Sequence, residues 1–570
     1  MMSWLGQVSS YACGSRSLGR RKGFALAGPA RRKAALAWGG VGLVATAGIL
    51  VFWLFDAIPF QDLPAHAGLI AMRHRFAHST FERQFFVLAP QVGPYSLFRT
   101  LGEIFVGPLG PVGAVRLLAT LPMVASPVAL VWARWRLHRD ASPAAAYFGV
   151  ALGFGFMTLL GFASYLLGIA VLVFAITLWL ELMLACDEET QRGPGIPRVV
   201  RREVAMAGFA PALFLAHGHA FALFVGIAVV TALAAERPRR RMLRLRSLTP
   251  ALGLAAWSAW TERPSVRPAG SAVVAHVAFV PHFQGPLDKL SLLFTPTLLT
   301  RTGADVVVGI LIWIVVLAAT VATGRSLRVT NGAPIARVEM ASMAHARALH
   351  VAAGCLALVF LALPHSIGWF GFVDGRLVPV LLFLLILAVR RPALGPTLAA
   401  LFDRCAMGAG LAMVVIALAA SHAFQKEAAG WRQVLGTVPP DARILNLPVE
   451  PTSAVFTAHP FVHYDKLALA EHPEVVSDVW FHQGSAIYPT AANPALALPP
   501  TYSESDLRFV DWPAYRLADW DFVLMRTRPT ATEPAVPDEL TLSAHNGGWW
   551  LFRTSRALDA RGAGDGVGAP

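Results

Sequence analysis

The chain has 570 residues, of which 55% are apolar and only 14% charged, and its mean hydropathy is +0.55. That composition excludes an ordinary soluble enzyme and fits a polytopic membrane protein. The net charge of +14 lies largely in short arginine blocks between apolar runs, with no basic soluble module beside them, so no nucleic-acid partner is expected.

Residues 1–33 carry Arg16, Arg20, Arg21, Lys22, Arg31, Arg32 and Lys33 and no acid. They read as a basic cytoplasmic tail, and the apolar run 34–55 as a retained first transmembrane helix. Residues 56–111 then form an external loop, the longest between helices. The run 112–131 returns to Arg134, Arg136 and Arg139, and 144–184 reads as two helices joined by an uncharged external turn at 161–164. Loops 187–203 and 237–246 are both basic and hence cytoplasmic. The apolar run 204–235 between them must therefore go out and come back, with His217-Gly218-His219 near its outer tip, unless it is a single tilted helix. Helix 248–260 leads outward to a loop ending near Arg301, and 306–323 returns to a loop holding Arg325, Arg328, Arg337 and Arg347. Helices at 351–363, 377–389 and 406–420 complete about eleven crossings, with the N-terminus inside and the C-terminus outside. Strand-like runs at 443–447, 522–526 and 549–553 mark residues 424–558 as an external domain, and the Gly/Ala-rich residues 559–570 read as a disordered tail. The expected fold class is an all-α polytopic membrane domain, residues 34–423, followed by a small external α/β domain.

On this topology several ionisable residues fall at the outer side, where charge is costly unless it is paired or used. Asp62 suits a helix N-cap, with Pro64 in the first turn; it also suits a general base facing a cavity, with His66 one turn further along. Asp56, at the exit of the first helix, is either an interfacial charge or a second candidate base. His217 and His219 are either interfacial histidines bonded to backbone or donors to a phosphate oxygen. In Asp374-Gly375-Arg376 the sequence forms a turn before a helix, or presents Arg376 to a phosphate by bidentate contacts. His459, His463, His472 and His482 have loop-like spacing and read as surface histidines. The four cysteines show neither a disulfide framework nor metal-ligand spacing. No Walker motif or Rossmann fingerprint is present, and no cofactor is expected beyond a weakly held divalent cation.

The motif Asp62-Leu63-Pro64-Ala65-His66 resembles the Asp-Leu-Pro-x-His motif in the first external loop of bacterial GT-C-type membrane glycosyltransferases. Three further stretches are similar in the same order: a Gly-Phe-x-x-Tyr-x-x-Gly helix start within 159–176, a His-centred segment at 213–224, and a Pro-to-Arg loop at 363–379. The resemblance implies membrane-surface helices in the first external loop, an acid there as catalytic base, and a polyprenyl-phosphate-linked sugar as donor. On that basis Asp62 deprotonates an acceptor hydroxyl for a single inverting displacement, while Arg376 with His217 or His219 stabilises the departing lipid phosphate. The competing class is a non-catalytic scaffold or carrier in envelope polysaccharide or lipid export; a carrier favours internal repeats and mid-membrane polar groups, and the sequence shows no obvious repeat. Ala- and Arg-rich usage with few lysines suggests a GC-rich bacterium and hence its cytoplasmic membrane.

Overall fold

The computed structural model describes residues 28–89, 92–192, 196–234, 238–261, 280–329, 337–368, 370–479, 487–504 and 510–557. Most of the basic N-terminal tail and the Gly/Ala-rich C-terminal tail lie outside them.

The first helix, Gly28–Leu50, ends in turns before Asp56. The loop after it then folds on itself as helices Leu63–Arg75 and Thr80–Phe85 and a short strand, Phe86–Leu88. A helical run from Ser96 to His138 follows, and Gly110 (φ 69°, ψ 168°) divides it. Pro108 and Pro111 flank that break; proline removes an amide donor and clashes with the preceding turn, so the membrane-crossing part begins after it.

Ala144–Gly153 and Ala163–Arg192 are joined by a short helical segment and a turn at Gly161. The run that sequence left as a hairpin or a single helix is two helices, Ile196–Ala216 and Gly218–Leu233, which meet at an extended His217. Helices Thr249–Thr261, Ala304–Val329, Arg337–Ala362, Leu377–Ala388 and Pro396–Glu427 complete this domain. Arg337 and Arg347 lie within a helix and not in the loop expected for them, because the stretch from 337 to 350 is built of strong helix formers.

Among the described residues, five helices are long and apolar enough to cross a membrane, and four shorter apolar helices accompany them. Exposed aliphatic side chains such as Leu311, Ile314, Leu358, Leu361, Leu411 and Val415 line the outer faces of three of the five. The chain is a multi-pass membrane protein. Leu377–Ala388 is buried on every side and so forms the centre. Its terminal carbonyls are bound at one end, where Arg134 Nη1 donates to Ile386 O (2.6 Å) and Val389 O (3.0 Å). Its other end opens on the cavity described below.

The C-terminal domain holds a five-stranded sheet in the order Glu474–Val476, Ala442–Leu447, Phe522–Arg526, Trp549–Arg553, Thr541–Asn546. The first three strands are parallel and the last two pair antiparallel. Two strands had escaped the sequence reading: Glu474–Val476 is only three residues long, and Thr541–Asn546 is an exposed edge without an apolar run.

This domain is fastened to the loop that follows the first helix. Phe86–Leu88 pairs antiparallel with Ile487–Pro489, and Tyr464 donates its hydroxyl to Ile58 O (3.1 Å). Arg75 reaches across to Leu469 O (2.6 Å) and His472 O (2.7 Å) while holding the fully buried Glu82 at 2.7 Å. Removing one partner of a buried pair leaves an uncompensated charge. Arg75→Ala should therefore lower stability by about 3 kcal/mol and expose the junction between the domains, read as a lower melting midpoint and faster limited proteolysis in detergent.

Candidate active site

A cavity of about 700 Å³ lies where the membrane domain meets the C-terminal domain. That volume suits a ligand the size of a sugar phosphate. Asp62, His66, His217, Arg376, His463 and Glu504 are among the side chains that line it. The first four are candidate site residues of the sequence; His463 reads there as a surface histidine, and Glu504 carries no signal in it.

Asp62 occupies the N-cap position of helix Leu63–Arg75, yet its side chain makes no capping hydrogen bond. Backbone bonds hold it from beneath: Gln61 N donates to Leu159 O (2.9 Å) and Asp62 N to Leu160 O (3.1 Å). Gly161 completes the support. Its φ of +79° is a left-handed conformation, and a Cβ there would stand 2.7 Å from Asp62 N, so neither the backbone angle nor the space admits a side chain. The Asp62 carboxylate is thus directed to the cavity with 16% of the side chain exposed. Burial pushes its pKa up to about 6, against the opposing pull of His463, Arg376 and a hydrogen bond from Gln61. Burial takes the neighbouring His66 down to about 3, and the charges of His463 and Arg99 push the same way. His66 is therefore uncharged at neutral pH.

The opposite end of the cavity is basic and aromatic. Arg376 precedes helix Leu377–Ala388, and its guanidinium carbon sits 4.0 Å from the ring centre of Phe370 and 4.6 Å from that of Phe162. Among the described residues it makes no ion pair, and its Nε is buried without a hydrogen-bond partner. Asp374, two residues earlier, is a structural acid: fully buried, it binds Lys289 Nζ (3.2 Å) and His365 Nδ1 (2.9 Å) and so pins the loop that carries Arg376. His217 and His219 stand against Tyr165, with ring centres 5.2 and 6.1 Å away. His217 Nδ1 and His219 Nε2 are also buried and unpartnered. Buried polar atoms without partners are costly, and Arg376 and His217, which line the cavity, could be satisfied there by a ligand with acceptor oxygens, whereas His219 stands behind them and does not line it. Tyr95 (φ 70°) and Phe372 (φ 55°), both on the cavity wall, adopt left-handed backbone angles that bulky residues seldom accept.

One short motif serves both ends. In Gly161-Phe162-x-x-Tyr165-x-x-Gly168, the first glycine supports Asp62 and the two rings flank Arg376. The last glycine leaves room for His217, whose Cβ would lie 2.8 Å from an added methyl.

Asp56 does not join this site. Its side chain is 71% exposed and lies 3.7 Å from Arg432, because the chain turns away between the first helix and Phe60. His463, read from sequence as a surface residue, is buried at the centre of a network. Its Nε2 is 3.6 Å from Asp62 Oδ1, and its Nδ1 is 2.9 Å from Glu504 Oε2. Glu504 also accepts from Lys466 Nζ (2.6 and 2.8 Å), Tyr502 OH (3.0 Å) and Asn446 Nδ2 (3.2 Å). No local pattern announced these residues; they lie in loops and on a short helix, and their partner in the membrane domain is about four hundred positions away along the chain. His459 and His472 lie nearer the surface, and His482 is outside the described residues.

No protein-family model and no curated protein matches the chain. Among solved structures the chain is similar to "Crystal Structure of ArnT from Cupriavidus metallidurans bound to Undecaprenyl phosphate", with a TM-score of 0.52 at 12% identity, over 91% of this chain and 98% of that one. The fold is GT-C-like. Two further similarities are looser. Arabinofuranosyltransferase AftD from Mycobacteria has a TM-score of 0.46 at 16% identity, over 93% of this chain and 40% of that one. The apo oligosaccharyltransferase of Archaeoglobus fulgidus has a TM-score of 0.44 at 13% identity, over 87% and 70%.

The raised pKa of Asp62 has a stability consequence with a definite sign. The unfolded chain ionises this group near 3.8 and the folded chain near 6, so between those values the folded state holds the extra proton. Above pH 6 the folded protein bears the full penalty of a buried charge. Asp62→Asn should therefore melt at or above the wild-type temperature at pH 7.5, by at most about 3 kcal/mol in stability. The difference should vanish as the pH falls below 4, which thermal scans across that range would measure.

Proposed function

We propose that the chain is a GT-C-type glycosyltransferase that transfers a sugar from a polyprenyl-phosphate-linked donor to an acceptor hydroxyl at the outer face of a bacterial cytoplasmic membrane. One observation carries this reading: an uncapped carboxylate and an unpaired guanidinium share one cavity beside the membrane domain. The undecaprenyl phosphate named with ArnT supports the choice of lipid. The chain would thread the membrane about eleven times, with its basic N-terminus inside and the C-terminal domain outside.

In this reading the lipid phosphate lies at the Arg376 end, within reach of His217 and His219, and the acceptor hydroxyl lies at Asp62. Asp62 takes the hydroxyl proton as the oxygen attacks the anomeric carbon, and the bond from that carbon to the phosphate oxygen breaks with inversion. The negative charge passes to the departing lipid phosphate, where Arg376 offers paired N–H donors in a site already shielded from bulk water. His66, uncharged, borders the acceptor side. The step as written calls on no cofactor.

Asp62→Asn should reduce transfer at least about 100-fold, and wild-type activity should fall as the pH drops below about 6, where Asp62 gains its proton. Arg376→Lys keeps the charge but loses the planar fork, and should cost about tenfold or more in kcat/KM for the lipid donor. Both are measured with purified enzyme and a polyprenyl-phosphate sugar in vesicles. Full transfer by a folded Asp62→Asn enzyme would sink the assignment of the base, and lipid flux across vesicles without covalent transfer would favour a carrier.

A further inference from the structure

We infer that His463, oriented by Glu504, is a positioning residue through which the C-terminal domain keeps the Asp62 carboxylate ionised and aimed into the cavity. The inference rests on the reading of Asp62 as the base. It deepens that reading by making the catalytic centre a composite of the two domains.

The geometry decides the proton positions. Glu504 Oε1 accepts from Lys466, Tyr502, Asn446 and Ser477 (3.3 Å), and Oε2 from Lys466 and His463. A carboxylate surrounded by so many donors stays ionised. Burial alone would raise its pKa, but Lys466 and His463 outweigh that effect and hold it below the ordinary range. His463 Nδ1 must then carry hydrogen, which leaves Nε2 to face Asp62 Oδ1 across the domain junction at 3.6 Å.

The other charges around this imidazole are unequal. Lys466 opposes its protonation, while Glu504 and Asp62 favour it. Burial disfavours the imidazolium more than any other single cause, yet the hydrogen bond that His463 donates to Glu504, with the charges of Glu504 and Asp62, prevails and the net shift is upward. His66, packed beside it, is neutral and adds no opposing charge. Asp465 lies 3.0 Å from Lys466, but burial pushes its own pKa up to about 7, so it offsets that lysine's repulsion only above that pH, and Arg376 acts on Asp62 from the far side. When it carries its second proton, His463 is the cation that the C-terminal domain holds against Asp62 among the described residues, with Nε2 at 3.6 Å from Oδ1. The nearby Ser477 and Tyr502 hydroxyls are engaged with each other (2.7 Å) and with Glu504, so the network has little freedom to reorient.

The test uses the purified full chain in detergent. A pH-difference infrared titration follows the protonated-carboxyl band of Asp62, identified by its loss in Asp62→Asn. In the wild type its midpoint should lie near 6. In His463→Gln and in His463→Asn, two neutral replacements chosen in case one fails to fold, it should rise by about one pH unit, a tenfold change in proton affinity. The acid limb of kcat/KM should rise with it, while donor KM stays within about twofold. A midpoint that stays in place or falls in folded His463 variants, or an Asp62 band absent from the wild type between pH 4 and 9, overturns the inference. Asp62→Asn activity reports separately on the base. If that variant transfers normally the reading of Asp62 as base fails, whereas an inactive Asp62→Asn with an unmoved infrared midpoint in the His463 variants rejects this inference alone.

Discussion

A carboxylate placed at the start of a helix normally bonds to the amides of the first turn, and the candidate site depends on Asp62 not doing so. Its backbone is committed elsewhere, to the carbonyls of Leu159 and Leu160, and the left-handed glycine beneath leaves the side chain to face the cavity. That commitment ties the loop after the first helix to the turn that begins Ala163–Arg192. Because the same turn supplies Phe162, Tyr165 and Gly168, a few residues set the acid at one end of the cavity and the cation at the other.

The treatment of charge elsewhere sharpens the contrast. Arg136 binds Glu181 through two bonds of 2.5 and 2.6 Å, Arg134 binds Asp140 and two helix carbonyls, and Asp374 is held by Lys289 and His365. Buried ions need such partners, because the desolvation penalty is otherwise several kcal/mol. Arg376 is packed against aromatic faces and makes no ion pair among the described residues, and the histidines near it keep unpartnered nitrogens. Arg134, Arg136 and Arg390 of the same domain each have an acidic partner, and the contrast with Arg376 suits an anion at that end of the cavity.

Asp62, His66, His217 and Arg376 were legible because each stands in a short motif at the edge of an apolar run, where the change from hydrophobic to polar is itself the signal. Asp56 has the same signal and a different fate: it faces solvent beside Arg432, since proximity along the chain to a helix end says nothing of which way a turn leads. His463 shows the converse. Nothing in a Pro-rich loop distinguishes a surface histidine from a buried one, and its burial follows from the docking of Tyr464 on Ile58 and of the 465–471 helix on Leu63–Arg75. Strands were readable where apolar residues ran together, as in Phe522–Arg526, and not where an edge strand was polar.

The sequence by itself determined that the chain lives in a membrane, where its long apolar helices fall, and which loops between them carry ionisable residues, because hydropathy and charge act locally and leave their period in the chain. Tertiary structure alone decided that the acid does not cap its helix, that the glycine of the 161–168 motif lies under it, and that the C-terminal domain brings His463 and Glu504 to its side. Those are contacts between segments as much as four hundred residues apart, set by packing and burial, and a linear pattern carries no record of them.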